Sequence, residues 1–469
     1  IVSINMNKYK NKIMAINRLF YYFLFTHLVI WTLIPSITNH NLPLDTIEAL
    51  AWGSNLDWGF NKHPPLSALA VEIFYQIFGP QDWAYYLLSQ LFVVTAFYFI
   101  FKLSKEILNT EKHAILSVLL LEGIFFYNFT TPEFNVNVCM LPFWAMTGYY
   151  AYKCLKDNLL KDYIILGIVA ALGFLSKYLF IYLLIGIKIF YIFYIKKNNS
   201  KINYIIPGIV FLLILTPHLI WLTENNYVTI TYGLKRTGEI KSYLDHVILP
   251  LTYLGKQIGI LIPFFILLFI LTESIKTSFS LKDQNLLYLL SITILPIILI
   301  FLTSVIIGAK IRTMWMTPFY LYFGTMVIYL FQNNIIFDKL KTFKYTFVFL
   351  FLLSPFIYGY ISISQKDKRT DYKGKEFASI VKKEWDKNFI EEINFVVGDE
   401  WYAGNLSYHL KPRPITIIHK MPKPNFTGMI FIGDVFKKCQ NKTTTAFDGE
   451  EKIHCLNTTP PIVMIGRTR

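Results

Sequence analysis

Residues Tyr21–Leu66 read YYFLFTHLVIWTLIPSITNHNLPLDTIEALAWGSNLDWGFNKHPPL, and the change of character within this stretch decides the fold. As far as Ile34 it is apolar and aromatic, with no formally charged side chain. From Leu44 it packs Asp45, Glu48, Asp57, a Lys62-His63 pair, Trp52, Trp58 and a double proline into a short span. The first part reads as a segment in lipid, where ~20 apolar residues cross the hydrocarbon core. The second part reads as a polar surface placed where that segment leaves the membrane.

The rest of the 469-residue chain repeats the pattern, being 54% hydrophobic and 17% aromatic but only 16% charged, with a mean hydropathy of +0.43. Soluble domains carry about 25% charged residues, so much of this surface faces something other than water. Hydropathy predicts about eleven transmembrane helices, over 18–37, 83–103, 113–131, 134–152, 162–176, 178–195, 203–222, 247–271, 285–307, 312–331 and 343–362. The first lacks a signal-peptidase site and reads as a retained helix. Lys177 interrupts a nearly continuous apolar run and divides the fifth span from the sixth.

The 45 basic residues outnumber the 30 acidic ones. With the N-terminus in the cytoplasm, the loop lysines Lys102, Lys105, Lys112, Lys153, Lys156, Lys161, Lys196, Lys197, Lys201, Lys276, Lys282, Lys339, Lys341 and Lys344 all fall on the cytoplasmic side, as the positive-inside rule asks. The basic excess is thereby explained by topology, and no nucleic-acid motif or partner is indicated. The four cysteines form no CxxC pair, which excludes the usual redox and zinc patterns.

The same topology puts the loop 38–82, the long loop 223–246 and everything after about residue 363 on the outer face. Residues 45–54 and 66–79 are too short to span and are predicted as interfacial helices. After residue 363 an amphipathic helix at 373–385 precedes short apolar strands at 393–399, 415–420, 428–434 and 460–466. The chain thus divides into a transmembrane domain, 1–362, carrying its site on loop 38–82, and a small α/β domain, 363–469. Cys439 and Cys455 both lie in the latter, where a disulfide and two buried thiols are alternatives.

Asp45 and Glu48, three residues apart after Pro43, share a helical face. They serve either as cap and first-turn acid or as a pair with split pKa values that does chemistry or holds a cation. Glu133, after Pro132, is a helix N-terminal acid or a third carboxylate of the same site. Lys62, His63, Lys177, Lys235, Arg236, Lys310 and Arg312 lie on the side where topology requires no basic residues. Each is a snorkelling anchor by itself; together they suit an anionic headgroup. Trp52 and Trp58 belong to an interfacial aromatic belt or stack on a sugar. Glu122, inside a span, is an interhelical hydrogen-bonding group or a functional acid.

The loop PLDTIEALAWG…LDWGFNKHPPLSA, followed in order by TTPEFN (130–135), GFLSKY (173–178), GAKIRTMWMTPFY (308–320) and EWYAGNLSYHLKPRP (400–414), resembles the protein-O-mannosyltransferase-like C-type (GT-C) membrane glycosyltransferases. The pattern is nearest to bacterial lipopolysaccharide galacturonosyltransferases and lipid A aminoarabinose transferases. The family often has adjacent acids where this chain has Asp45-Thr-Ile-Glu48. The resemblance implies an inverting transfer of a sugar from polyprenyl (undecaprenyl) phosphate to lipid A or lipopolysaccharide core at the periplasmic face of the bacterial inner membrane. It implies Asp45 as catalytic carboxylate with Glu48 and Glu133 in support, and Lys62, His63, Lys177, Tyr178 and Arg312 at the lipid phosphate, where Lys310 also falls. No cofactor is required; a divalent metal at Asp45/Glu48/Glu133 is the alternative. Protein O-mannosyl transfer and lipid-linked-saccharide transport are the competing functions. Transport needs polar groups at the bilayer midplane, where this sequence offers Glu122 and Lys188. Replacing Asp45 with Asn is expected to abolish transfer while leaving expression and membrane insertion unchanged; full transfer by that variant would remove Asp45 as the base.

Overall fold

Apolar periodicity dictates a helical bundle, and the computed structural model shows one, describing residues 2–195, 203–238, 242–274, 277, 280–418, 427–433, 446–447, 451–456 and 458–467. Lys196, Lys197, Lys201, Lys276 and Cys439 lie outside the described residues. The bundle helices are α1 (Val2–Thr38), α4 (Asp82–Ile107), α5 (Glu111–Leu119), α6 (Val136–Asp157), α7 (Leu160–Ser176), α8 (Ile181–Ile195), α9 (Ile206–Glu224), α11 (Asp245–Leu271), α12 (Gln284–Ile307), α13 (Phe323–Phe331) and α14 (Leu340–Ser364). Two short helices, α2 (Leu44–Gly53) and α3 (Leu66–Phe78), fill the first loop, and α10 (Val228–Arg236) lies in the loop after α9.

All eleven stretches expected to cross the membrane are helical at least in part. Among the described residues six helices are long and apolar enough to cross alone, and the segment 313–320 with α13, bent by 52°, makes a seventh. The expected third span departs most from a continuous helix. It stops at Leu119 and continues as short 3-10 turns at Leu120–Gly123 and Phe125–Tyr127. Polar groups occupy this break: Glu122 Oε1 lies 2.6 Å from His27 Nδ1 of α1, and Asn128 Nδ2 donates to Glu122 Oε2 at 3.3 Å. Irregular backbone at such depth survives only where protein buries it, and Glu122 is 6% exposed. Of the two readings of Glu122, interhelical hydrogen bonding is the one observed.

Lys177 separates α7 from α8, with extended backbone at φ −166°. The long loop 223–246 contains α10. Its last turn carries Lys235 and Arg236, where cations favour the helix dipole.

The C-terminal domain comprises α15 (Gly374–Asn388), β1 (Phe395–Gly398), α16 (Glu400–His409), β2 (Ile415–Ile418), β3 (Met429–Ile432), β4 (Ala446–Phe447), β5 (Glu451–Leu456) and β6 (Ile462–Arg467). Its sheet runs β2-β1-β3-β6-β5-β4, parallel across β2, β1 and β3 and antiparallel beyond. Trp385, Val396, Leu406, Ile430 and Met464 are fully buried between helices and sheet. Cys455 is disulfide-bonded. Helix α16, which hydropathy did not mark, begins at Asp399, whose Oδ1 accepts from Tyr402 N at 2.7 Å. That is the N-cap position acids favour.

This domain is docked on the first loop rather than tethered to it. A Cβ at Gly404 would lie 2.9 Å from Ile47 Cγ2 and 3.0 Å from Ala51 Cβ, so α16 and α2 approach at a distance only glycine permits. Arg413 Nη1 donates to Glu72 Oε2 of α3 at 2.6 Å, Nη2 to Leu50 O of α2 at 2.5 Å, and the guanidinium lies 3.8 Å over the Tyr75 ring. Both side chains of the Arg413–Glu72 pair are about nine-tenths buried. Removing one partner of such a pair leaves an uncompensated charge. Arg413→Leu is expected to destabilise the docked domain by about 3 kcal/mol, read as a lower Tm and faster proteolysis after residue 364; an unchanged Tm would contradict this account of the interface.

Candidate active site

Pro43 precedes α2 and provides no side-chain cap. The vacancy is filled from another element: Glu133 Oε1 accepts from Asp45 N at 3.0 Å, and Thr46 Oγ1 donates to Phe134 O at 3.2 Å. Two residues on, Asn135 Oδ1 caps α6 by accepting from Asn137 N and Val138 N at 2.9 and 3.2 Å. The segment 132–135 therefore ties together two helix N-termini. Asn137 Oδ1 in turn accepts from Lys177 Nζ at 2.7 Å, bringing the break between α7 and α8 to the same place.

A cavity of about 450 Å³ opens there. Asp45, Glu48, Lys62, His63, Lys177, Tyr178 and Arg236 line it together with the apolar Leu179, Ile181, Ile230, Ile307, Ile311 and Met314. The carboxylate of Asp45 has no hydrogen bond or ion pair among the described residues, whereas Glu48 Oε1 accepts from Lys62 Nζ at 2.8 Å. Lys62 also reaches Glu400 Oε1 of α16 at 3.1 Å, and Asn61 Nδ2 donates to that oxygen at 2.9 Å.

Protonation follows from these placements. Burial raises Asp45, while Lys177, Lys62, Arg236 and Arg369 pull it back down. Burial, reinforced by repulsion from Asp45, drives Glu133 up to about 7. The proton of this close pair accordingly belongs on Glu133, and Asp45 is the carboxylate left ionised beside cations. Burial also raises Glu48 against the pull of Lys62. Burial lowers Lys177 to about 7, with Arg236 and Arg312 adding repulsion and Asp45 opposing it. His63 falls to about 3 through burial and the neighbouring Lys177, Lys62 and Arg236, so it is a neutral ring set edge-on to Trp52 and Tyr232 rather than the cation its sequence suggested.

The structure does not bring every expected residue to the cavity. Glu133 stands behind Asp45, as its support. Lys310 contributes its main chain, donating from N to Thr237 O at 2.9 Å, and its side chain is exposed. Arg312 precedes the 313–320 segment and acts on Lys177 through its charge. Tyr178 lines the wall, with its hydroxyl shared between His218 Nε2 and Thr229 Oγ1, both at 2.8 Å, and so fixes α10 against α9. Trp52 is 4% exposed and stacked on Phe60 at 5.4 Å; with that face covered it is a packing residue, not a sugar platform. Trp58 is exposed but outside the cavity lining, and its carbonyl lies 2.6 Å from His218 Nδ1. Glu48 is turned to Lys62 and Glu133 to the α2 backbone. Among the described residues no group of three or more His, Cys, Asp or Glu is placed to hold a metal ion. Arg236 is the cation of the wall whose importance single residues hid, because only the formation of α10 separates it from Lys235. Glu400 opens the EWYAGNLSYHLKPRP stretch but was not singled out as a site residue.

The model of the dolichyl-phosphate-mannose-protein mannosyltransferase family matches residues 62–221. No curated protein matches the chain as a sequence. Among solved structures, ArnT from Cupriavidus metallidurans bound to undecaprenyl phosphate superposes with a TM-score of 0.64 at 10% identity, over 95% of this chain and 97% of that one. The apo state of ArnT gives 0.58 at 12% identity over 86% of each chain. The fold is that of the GT-C membrane glycosyltransferases.

Lys177 and Glu133 act on stability in opposite directions, while His63, lowered from 6.5 to about 3, adds a rise with pH between those values. Lys177 is depressed from 10.5 to about 7, so the unfolded chain holds that proton more tightly and stability rises as pH increases from about 7 toward 10.5. Glu133 is raised from 4.5 to about 7, so its contribution falls as pH increases between those values. Thermal unfolding in detergent is expected to show Lys177→Met removing the rise above pH 7 and Glu133→Gln removing the fall below it. If each variant kept the wild-type pH profile, the assigned burial would be wrong.

Proposed function

We propose that this protein transfers a sugar from a polyprenyl-phosphate carrier, undecaprenyl phosphate in a bacterial inner membrane, to an envelope glycolipid such as lipid A or lipopolysaccharide core. The observation that carries the reading is the unpaired Asp45 carboxylate with Lys177 and Arg236 in a cavity whose lining is otherwise largely apolar and aromatic. A long apolar tail with a phosphate at its head matches that lining. ArnT, whose structure holds undecaprenyl phosphate, supports the carrier.

The chemistry fits the residues present. The bond that breaks joins the anomeric carbon to a phosphate oxygen, and its electron pair leaves with the phosphate. Such a leaving group needs cations rather than an acid, and Lys177 and Arg236 supply them in a site where water is scarce. The bond that forms joins the anomeric carbon to an acceptor oxygen, whose proton passes to Asp45 as general base. Attack opposite the departing phosphate inverts the anomeric centre. Glu133, holding its proton and bonded to the α2 backbone, keeps Asp45 in place. Lys62, already shared by Glu48 and Glu400, is a reserve cation that a phosphate would draw away from them. The C-terminal domain is assigned to the periplasm and the N-terminus to the cytoplasm, from the lysine distribution.

The family description, which names a protein mannosyltransferase, favours a second reading in which the acceptor is a protein hydroxyl. Mass spectrometry of envelope lipids and of envelope glycoproteins, with and without the protein, separates the two. Loss of one sugar increment from lipid A or core is expected, and the same loss with Lys177→Met or Arg236→Gln. A lost increment on proteins would select the second reading, and unchanged lipids and proteins would refute transfer altogether.

A further inference from the structure

The cations that line the lipid-phosphate cavity are Lys62, Lys177 and Arg236, and they are not equally free. Lys177 Nζ donates to the Asn137 amide oxygen at 2.7 Å, and Arg236 lies over the Tyr232 ring at 5.8 Å. Among the described residues only Lys62, of these cations, has carboxylates within ion-pair distance: Glu48 Oε1 at 2.8 Å and Glu400 Oε1 at 3.1 Å. Burial by itself lowers Lys62, but the two acids outweigh it and hold the ammonium above its ordinary value.

Glu48 belongs to the cavity wall, whereas Glu400 comes from the other domain. It is the first residue of α16, where the helix dipole favours an acid, and it is 4% exposed. Asn61 Nδ2 donates to its Oε1 at 2.9 Å. Burial raises the carboxyl, yet Asn61 and Lys62 bring it below its ordinary value, so the acid is ionised at neutral pH. The close approach at Gly404 seats α16 directly on α2. Lys62 has a long, flexible stem with which to leave Glu400; Glu400 is fixed and does not follow.

Transfer changes the charge that the site has to hold. The phosphate of the donor is a diester with a single negative charge. The carrier left behind is a monoester, whose second ionisation near pH 6 gives it about −1.5 to −2 at pH 7. Cations gathered to stabilise the departing phosphate therefore grip the product more firmly than the substrate, and product release limits many enzymes. We propose that Glu400 is a positioning residue that holds Lys62 back from the spent carrier phosphate, so that the C-terminal domain sets how readily the carrier leaves. Lys62 lends its charge while the bond breaks, but every such contact is made against the pull of Glu400 and Glu48. Docking of the domain does not require a cation of the cavity, because Arg413 already binds Glu72 and the Leu50 carbonyl.

Because this role rests on the transferase reading, the test keeps the two apart. Equilibrium binding of undecaprenyl phosphate, a monoester, and of its methyl diester to the purified full chain in detergent is measured by microscale thermophoresis. Glu400→Gln is expected to tighten the monoester about tenfold and the diester by less. Glu400→Asp, which keeps the charge but draws it back from Lys62, is expected to shift both in the same direction. In a Lys62→Met background neither change at Glu400 has an effect, since no ammonium is left to compete for. A purely structural Glu400 would instead lower both affinities together in its variants. If the wild type bound undecaprenyl phosphate but both Glu400 variants bound the monoester no more tightly than it does, the proposed role would be refuted and the carrier reading would stand. Failure of the wild type to bind undecaprenyl phosphate would remove the carrier reading and this role with it.

Discussion

Helix α2 is ten residues long and owes its shape to groups outside it. Its N-terminal N–H at Asp45 is taken by Glu133, and its C-terminal carbonyls at Leu50 and Ala51 are taken by Arg413 and Thr416. An isolated helix of this length is marginal in water, and the free backbone groups at its ends are costly unless met. Capping from both sides is therefore the constraint on which the rest depends. It fixes Asp45 and Glu48, it docks the C-terminal domain, and it draws the 132–135 segment, and through Asn137 also Lys177, to one point.

Burial then does most of the electrostatic work. In water, Asp45, Glu133 and Lys177 would all be charged at neutral pH. Enclosed together they cannot all be solvated, and the pair of acids keeps one proton while Lys177 is held at the edge of losing its own. Lys62 escapes this fate because two carboxylates surround it. The site thus holds one cation already neutralised and another left poised, a division that a count of basic residues does not reveal.

Much of this was legible in the sequence because hydropathy and topology are long-range averages. The apolar stretches, the break at Lys177 and the amphipathic 374–388 helix all emerged from them. So did the gathering of Asp45, Lys62, His63 and Lys177, which motif order supported. What escaped were features decided by tertiary contact. The third span fails as a continuous helix because Glu122 and Asn128 find partners on α1 and within the break. Trp52 is packed by Phe60, only eight positions away, yet its aromatic character alone favoured either reading. Lys310 meets the end of α10 through its main chain, and Arg312 acts on Lys177 through its charge. Glu400 and Arg413 act on residues more than three hundred positions earlier, and no local pattern encodes such a partnership.

The capping of α2 by Arg413 and Thr416 also has a consequence in time. Ala51 is made and inserted early, but the groups that close its end of the helix are about 360 residues away along the chain. At roughly 5–20 residues per second, ribosomal synthesis leaves that end open for about 20–70 s. During this interval the bundle is inserted while the first loop is incomplete, and the ordered loop forms only when the last domain arrives. Completion of the first loop is thereby coupled to arrival of the C-terminal domain, and a chain truncated after α14 would persist in the membrane as an unfinished bundle with its acids unaligned.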